Sequence, residues 1–225
     1  LFALGYRFTN DDGTLPMLET DLRGLRGLNG VVDVVATNAY PLRGSGWREG
    51  VSVKPGVTVA AQATGGVAAV YAMDKHGVTT LGLQLTDGRN FRDDEVSAGH
   101  HDSNQNPGVA IITRSLAHSL FGDTPAVGKL IYLASDASRP VTVVGVVHRL
   151  QTPAAAGTLD PRESENSIIL PIRSAGAGGL FIIRARPGEL NSVMRSAKAL
   201  LMANNSNRIF GRLRSFAEIR ASAYE

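Results

Sequence analysis

Leu15-Pro-Met-Leu-Glu-Thr-Asp-Leu-Arg-Gly-Leu-Arg-Gly-Leu28 puts Leu15, Leu18, Leu22, Leu25 and Leu28 at helical spacing, so one leucine face of a helix turns inward. Thr14 stands where an N-cap belongs, and Pro16 falls in the first turn, where a missing N–H costs little. Upstream, Leu1–Phe8 is extended and apolar and runs into the turn cluster Asn10-Asp-Asp-Gly13. Downstream, Asn29-Gly30 stops the helix and Val31–Ala36 is a β-branched strand. The far end of the chain repeats this plan. Leu180–Ile183 is a buried strand, Pro187-Gly188 punctuates, and Leu190, Val193, Met194, Ala197, Leu200 and Leu201 make a helical stripe. Asn204-Asn205 ends that helix and Arg208–Leu213 returns as a strand. Two βαβ units at opposite ends predict one split subdomain with the middle of the chain inserted between its halves. Helix-sized crossovers favour parallel pairing inside each unit. Two unrelated α/β pieces are the alternative that periodicity leaves open.

The middle runs from about Val51 to Ser167. Val51–Ala60 alternates like a strand and Gly66–Met73 is another. Val109–Ile112 is a buried strand leading to Thr113 as a helix cap; Leu116, Ala117, Leu120 and Phe121 form the apolar face of a short helix, and Gly122 ends it. Ile131–Leu133 and Val141–Val147 read as strands separated by a turn at Ser135–Pro140. His100–Asn106 and Gln151–Asn166 read as solvated loops. Ser215-Phe-Ala-Glu218 matches a capping box and opens a helix at the chain's end.

The 225 residues are 43% apolar and 19% charged, the balance of a folded globular protein. The net charge of +3, with no basic stripe interleaved with aromatics, argues against nucleic-acid binding. With no cysteine, disulfides, thiolate metal sites and a cysteine nucleophile are excluded. The longest uncharged apolar stretches, Gly65–Met73 and Val141–Val147, fall far below the roughly 20 residues that span a bilayer. The chain starts without Met on Leu1 and stops at Glu225, which reads as a piece cut from a longer protein.

Motifs for catalysis are missing: there is no G-x-S-x-G, H-E-x-x-H or P-loop, so no enzyme activity, cofactor or metal is expected. Gly176, Gly178 and Gly179 precede a strand instead of following one, so they read as a loop and not as a dinucleotide turn. His100-His-Asp102 is read as solvated surface, and the dispersed His76, His118 and His148 as surface or satisfied residues. Asp93-Asp-Glu95 has no second acidic cluster to pair with and reads as a solvated helix start.

Five pieces in order carry a family resemblance. They are Leu28–Val35 with Pro41-Leu42, Val78-Thr-Thr-Leu-Gly-Leu-Gln-Leu-Thr-Asp-Gly-Arg-Asn-Phe91, Val109–Gly122, Thr124-Pro-Ala-Val-Gly-Lys-Leu-Ile131 and Val141–Val147. Together they resemble the periplasmic core domain of macrolide-exporter-type, FtsX-like ABC transporter permeases, over nearly the whole chain. Thr113-Arg114 stands where that pattern carries Asn-Glu, and Asn29 where Pro is common, departures that bear on partner choice more than on fold. The resemblance implies an α+β fold with two subdomains: a split, porter-like one at 1–50 and 168–225, and an inserted, mixed α/β, sabre-like one at 51–167. It marks Gly82, Gly88, Arg89, Phe91, Gly128, Lys129 and Gly145 as motif positions with structural or partner-contact roles. Gly82, Gly88 and Gly128 suit turns with positive φ, Gly145 a close approach in a strand, and Arg89 and Lys129 loop-fixing donors.

By the same resemblance the domain is expected to pass ATP-driven movement of transmembrane helices to the periplasm and to dock partners for export. The implied partners are the permease's own transmembrane helices, a cytoplasmic ABC ATPase, a periplasmic adaptor and an outer-membrane channel. The fragment is expected to be monomeric and the full-length protein dimeric, with both ends on one membrane-facing side of the periplasmic domain. The competing reading is a binding module that itself holds a lipoprotein, peptide or small molecule in a cleft between the subdomains; dry packing there would count against it.

Overall fold

The computed structural model describes residues 1–10, 13–59, 63, 65–98, 107–154, 164–173 and 175–223. In chain order its first elements are β1 (Phe2–Phe8), α1 (Leu15–Arg26), β2 (Val31–Thr37), β3 (Arg48–Ser52), β4 (Val67–Ala72), α2 (His76–Leu81) and β5 (Leu85–Gly88). Next come β6 (Ser97–Ala98), β7 (Val109–Thr113), α3 (Arg114–Phe121), β8 (Leu130–Leu133), β9 (Asp136–Val147), β10 (Ser167–Leu170) and β11 (Ile172–Arg173). The last are β12 (Gly178–Ala185), α4 (Leu190–Asn204), β13 (Arg208–Phe210), β14 (Arg214–Ser215) and α5 (Phe216–Ala223).

Both ends of the chain build one antiparallel sheet in the order β13-β1-β12-β2, with β14 also on β1. The expected parallel pairing inside each βαβ unit is corrected here. β12 lies between β1 and β2, and β1 lies between β12 and β13, so each crossover skips a strand that the other unit fills. This interleaved split-βαβ arrangement makes every neighbour antiparallel and lets α1 and α4 share one face. On that face Leu18, Leu22 and Leu25 of α1 and Val193, Ala197 and Leu201 of α4 close over Phe2, Leu4, Phe181 and Ile183. Each fully buried Leu contributes about 1.5–3 kcal/mol. Thr14 caps α1 by accepting from the Met17 N–H, but the helix ends at Gly27, ahead of Asn29-Gly30.

The middle of the chain builds a seven-stranded mixed sheet, β5-β9-β7-β10-β4-β3-β8, which an additional β8–β9 pairing closes into a barrel-like ring. Closure is possible because the twelve-residue β9 meets β8 with its first half and β7 with its second. It removes strand edges that would otherwise be open to another chain. Inside, Val70, Ile112, Ile131, Val141, Val143 and Ile168 pack with Leu116 and Leu120 of α3.

Local readings shift in four more places. The strand expected over Val51–Ala60 is Arg48–Ser52, cut by the Lys54-Pro-Gly56 turn in which Gly56 has φ 78°. The turn expected at Ser135–Pro140 is the tighter Ala134-Ser135, and Pro140 sits inside β9 near a register shift, where no ladder N–H is required. Gly178 and Gly179 begin β12 instead of forming a loop, because their bare Cα atoms admit Tyr6 and Arg7 of β1. Asp93–Glu95 is a single 3-10 turn. The expected loop His100–Asn106 lies outside the described residues, as does most of Gln151–Asn166.

Candidate functional site

The first sheet and the barrel meet through a continuous apolar layer. Val35, Ala39 and Ile182 from the sheet pack with Tyr71, Met73, Phe91, Ile111, Val147 and Ile169 from the barrel side. Tyr71 is fully buried there and donates to the Gln151 carbonyl at 2.6 Å; burial pushes its phenol well above the usual value. Beside this layer Asn38 mimics a strand. Its Nδ2 donates to the Val70 carbonyl (2.9 Å) and its Oδ1 accepts from the Ala72 N–H (2.8 Å), where β3 no longer covers β4.

A band of charge borders the junction. From the sheet come Glu19 and Arg26 of α1 and Asp33 of β2; from the other side come Asp74, His76 and Arg173. Asp74, with its side chain only 3% exposed, accepts from Arg173 at 2.9 Å and lies 3.9 Å from Arg26. His76 Nδ1 lies 2.9 Å from Asp33 Oδ1. Arg26 also donates to the Val34 carbonyl (2.8 Å), and Arg184 of β12 donates to the Thr80 carbonyl of α2 (2.8 Å). Burial draws the Arg26 guanidinium below its ordinary value, while Asp74 and Asp33 oppose that shift. Three carboxylates facing two guanidiniums and an imidazole form a polar clasp between two bodies, partly wetted and with more than one way to pair.

The motif residues fall into three places. Phe91 is in the junction layer, and Gly82, with φ 66°, caps α2 so close to Arg184 that an added Cβ would stand 2.7 Å from its Nη2. Gly88 (φ 72°) and Gly145 let β5 cross β9: a Cβ on Gly145 would stand 2.5 Å from the Arg89 carbonyl. Arg89 clamps Glu95 with two bonds of 2.9 and 2.5 Å, which holds the Glu95 carboxyl below its ordinary value and raises the arginine. Gly128 (φ 85°) and Lys129 lie apart from these, on the α3 side of the barrel, where Lys129 Nζ stands 4.6 Å from the Phe121 ring centre.

Sequence reasoning missed the clasp, and with it the fully buried pair Asp21–Arg208. Asp33 interrupts a run of valines, and Asp21 sits on the leucine stripe of α1; charges on faces expected to be apolar were the available signal. His118 lies 3.6 Å from Asp123 at the surface. Among the described residues no group of three or more His, Asp or Glu side chains gathers as for a metal ion, and no helix is long and apolar enough to cross a membrane. His100-His-Asp102 is outside the described residues.

Residues 8–200 match the family model of the MacB-like periplasmic core domain. An uncharacterized ABC transporter permease, YknZ of Bacillus subtilis, is 24% identical over 132 residues, which are 59% of this chain and 27% of that permease. The chain therefore matches about a quarter of that relative's length. Among solved structures, the extracellular domain of YknZ superposes with a TM-score of 0.56 at 17% identity, covering 93% of this chain and all of that one. The periplasmic region of MacB from Actinobacillus actinomycetemcomitans gives a TM-score of 0.57 at 14% identity, covering 99% and 92%. With the family model spanning most of the chain and these folds agreeing with it, the chain belongs to the MacB-like periplasmic core domains.

Proposed function

We propose that this chain is the extracytoplasmic domain of an ABC transporter permease, that it passes ATP-driven movement of transmembrane helices outward, and that it docks export partners. The observation that carries the reading is the joining of the two ends. The Phe216 N–H donates to the Leu1 carbonyl at 3.0 Å, and Ile219 and Phe216 of α5 pack on Ala3 and Leu180 of the first sheet. Helices continuing from both ends would therefore push on one sheet at one place, as a lever on a rigid body. The first sheet with its helices serves as the porter-like subdomain and the barrel as the inserted, sabre-like one, with the polar clasp as the joint between them. The ATPase, a periplasmic adaptor and an outer-membrane channel are the partners this role requires. The motif turns at Gly82, Gly88 and Gly128 then serve to hold the shape that is moved, with Arg89 and Lys129 fixing loops.

The filled junction layer counts against a cargo cleft between the two sheets. A cargo-holding role is left with two grooves at the junction's edge: one of about 420 Å³ lined by Leu1, Leu42, Leu81, Leu150 and Phe216, where Leu42 has the unusual φ of 65°, and one of about 340 Å³ lined by Ala36, Asn38, Ala72 and Ile172. The transmission reading is tested in the full-length permease with its ATPase by spin labels at the exposed Leu130 of the barrel in each copy of the dimer. Label distances that shift when ATP is trapped support it; identical distributions with and without nucleotide defeat it.

A further inference from the structure

One strip of the first sheet lacks a cover among the described residues. On the face away from α1 and α4, Val35 and Ile182 meet the barrel, and Ala3 and Leu180 lie under α5. Between and beyond them the sheet surface is a groove of about 490 Å³, lined in part by Gly5 of β1 and Gly211 after β13. A Cβ on Gly5 would approach nothing nearer than 3.9 Å, so the missing side chain leaves space that the sheet itself does not need.

Four arginines line this groove and no acidic side chain does: Arg7 from β1, Arg43 from the β2–β3 connection, and Arg212 and Arg214 from the segment before α5. The side chains of Arg7 and Arg212 make no hydrogen bond or ion pair among the described residues. Arg43 donates to the Asn38 carbonyl (2.6 Å) and Arg214 to the Ser222 hydroxyl (2.7 Å), contacts that hold them in place without neutralising them. The neighbouring carboxylate, Glu218, is already engaged by the Ser215 N–H (2.7 Å) and hydroxyl (2.8 Å). Its carboxyl titrates below the ordinary value through those bonds, with Arg212 and Arg214 adding to the effect. Three chain segments thus converge four guanidiniums on one concave surface that holds a strong surplus of positive charge.

We propose that this groove seats the phosphate-bearing headgroup of an anionic membrane lipid. Guanidinium forks take phosphate oxygens in pairs, and a concave cluster suits a compact dianionic or monoanionic group better than an extended polymer. The choice of a lipid rests on the transport reading, which runs α5 toward a bilayer and so brings the groove beside it near the membrane surface. Each basic side chain near an anionic surface changes partitioning about fivefold.

The test is co-sedimentation of the 225-residue chain with phosphatidylcholine vesicles with and without phosphatidylglycerol. Wild type should bind only the phosphatidylglycerol vesicles, and more weakly as salt rises. Arg7→Gln/Arg212→Gln should bind roughly 25-fold more weakly. Gly5→Leu, which keeps every charge but fills the groove, should also bind more weakly, with unchanged circular dichroism in both variants. No retention of wild type, equal binding by all three proteins, or calorimetric binding of inorganic phosphate or an acidic peptide without vesicle binding would each overturn the proposal. None of these outcomes alters the label distances in the full-length permease, so failure here is separable from failure of the transmission reading.

Discussion

Two ionic clusters in this fold use the same residue types and do opposite things. Inside the first sheet's helical layer, Asp21 of α1 and Arg208 of β13 are fully buried and bonded to each other, with Asn204 donating to Asp21 (2.9 Å) and Arg208 donating to the Leu201 carbonyl (3.0 Å). Arg208 also stands 4.9 Å from the Tyr6 ring and 5.2 Å from Phe8, and burial pushes the Tyr6 phenol up to about 12 although the guanidinium opposes the shift. At the junction, Arg26, His76 and Arg173 keep 26–28% of their side chains exposed and share Asp33, Asp74 and Glu19 among them. A dry one-to-one pair has a single low-energy arrangement. A partly wetted cluster with several partners can exchange them at modest cost. The first therefore makes the split halves one body, and the second is suited to a joint.

The contrast breaks most sharply at Asp21. Asp21→Ala leaves Arg208 charged and unpaired in a dry layer, and such a loss costs about 3–5 kcal/mol. Urea denaturation should show that drop, and Asp21→Leu/Arg208→Met should recover most of it, because an apolar pair of similar volume avoids the desolvation cost. If the single variant loses under about 1 kcal/mol, the pair does not hold the halves together. Asp74→Ala is the matching cut at the joint. Arg173 keeps Glu19 and Arg26 keeps Asp33, so the expected loss is smaller, about 1–2 kcal/mol. Hydrogen exchange should speed up around α2 and β2 while the interior of β1 and β12 stays protected. Uniform acceleration across both sheets would mean that the clasp is part of the global core and not a joint.

How much of this the residue pattern disclosed depends on range. The leucine stripe of α1, the Thr14 cap, the stripe of α4 and the Ser215 capping box are contacts within a few positions, and the structure keeps each of them: the Ser215 N–H meets Glu218, and the Glu218 N–H meets the Ser215 hydroxyl. Strand partners are a different matter. Helix-sized crossovers correctly indicate that β1 runs parallel to β2, but nothing local says that β12 slots between them. Barrel closure likewise depends on one strand pairing with two others at once. The clasp is hardest to read, since His76 meets Asp33 across 43 positions and Arg173 meets Asp74 across 99. Asp21 was within reach, because a carboxylate among Leu18, Leu22 and Leu25 on a buried face requires a partner.

A third charged pair, away from both clusters, sharpens the comparison through pH. Arg89 holds Glu95 below its ordinary value of 4.5, chiefly through their hydrogen bonds. A carboxyl with a lower folded than unfolded pKa gives stability that is complete above about pH 4.5 and is lost as pH falls through the folded value. Since Arg89 is 37% exposed, the contribution is about 0.2–1 kcal/mol. Glu95→Gln should lower stability at pH 7 by that amount and flatten the decline below pH 4.5, as read by thermal melting across pH. A variant as steep as wild type in that window would assign the acid sensitivity to other carboxylates.

An effect of similar size, and the one whose sign is most informative, lies at Thr80 in α2. Its side chain is fully buried and its hydroxyl has no hydrogen-bond partner, while its carbonyl takes the Arg184 bond that ties α2 to β12. Burying an unpaired hydroxyl costs about 1–3 kcal/mol, and most of that cost is absent for valine, which has nearly the same shape. Thr80→Val keeps the backbone carbonyl, so the tie to Arg184 survives and the polar penalty is removed. The expected outcome is a gain of up to about 1 kcal/mol, read as a raised urea midpoint with an unchanged slope. That gain would show that α2 carries an uncompensated polar cost at the joint; the Asp21–Arg208 body has both carboxylate oxygens bonded and leaves only the Arg208 Nε without a partner. A loss of more than about 1 kcal/mol would instead mean that the hydroxyl is satisfied, by a bound water or by a second arrangement of the junction. In that case α2 is fixed by its side chains as well as its backbone, and the joint is stiffer than the clasp's shared partners imply.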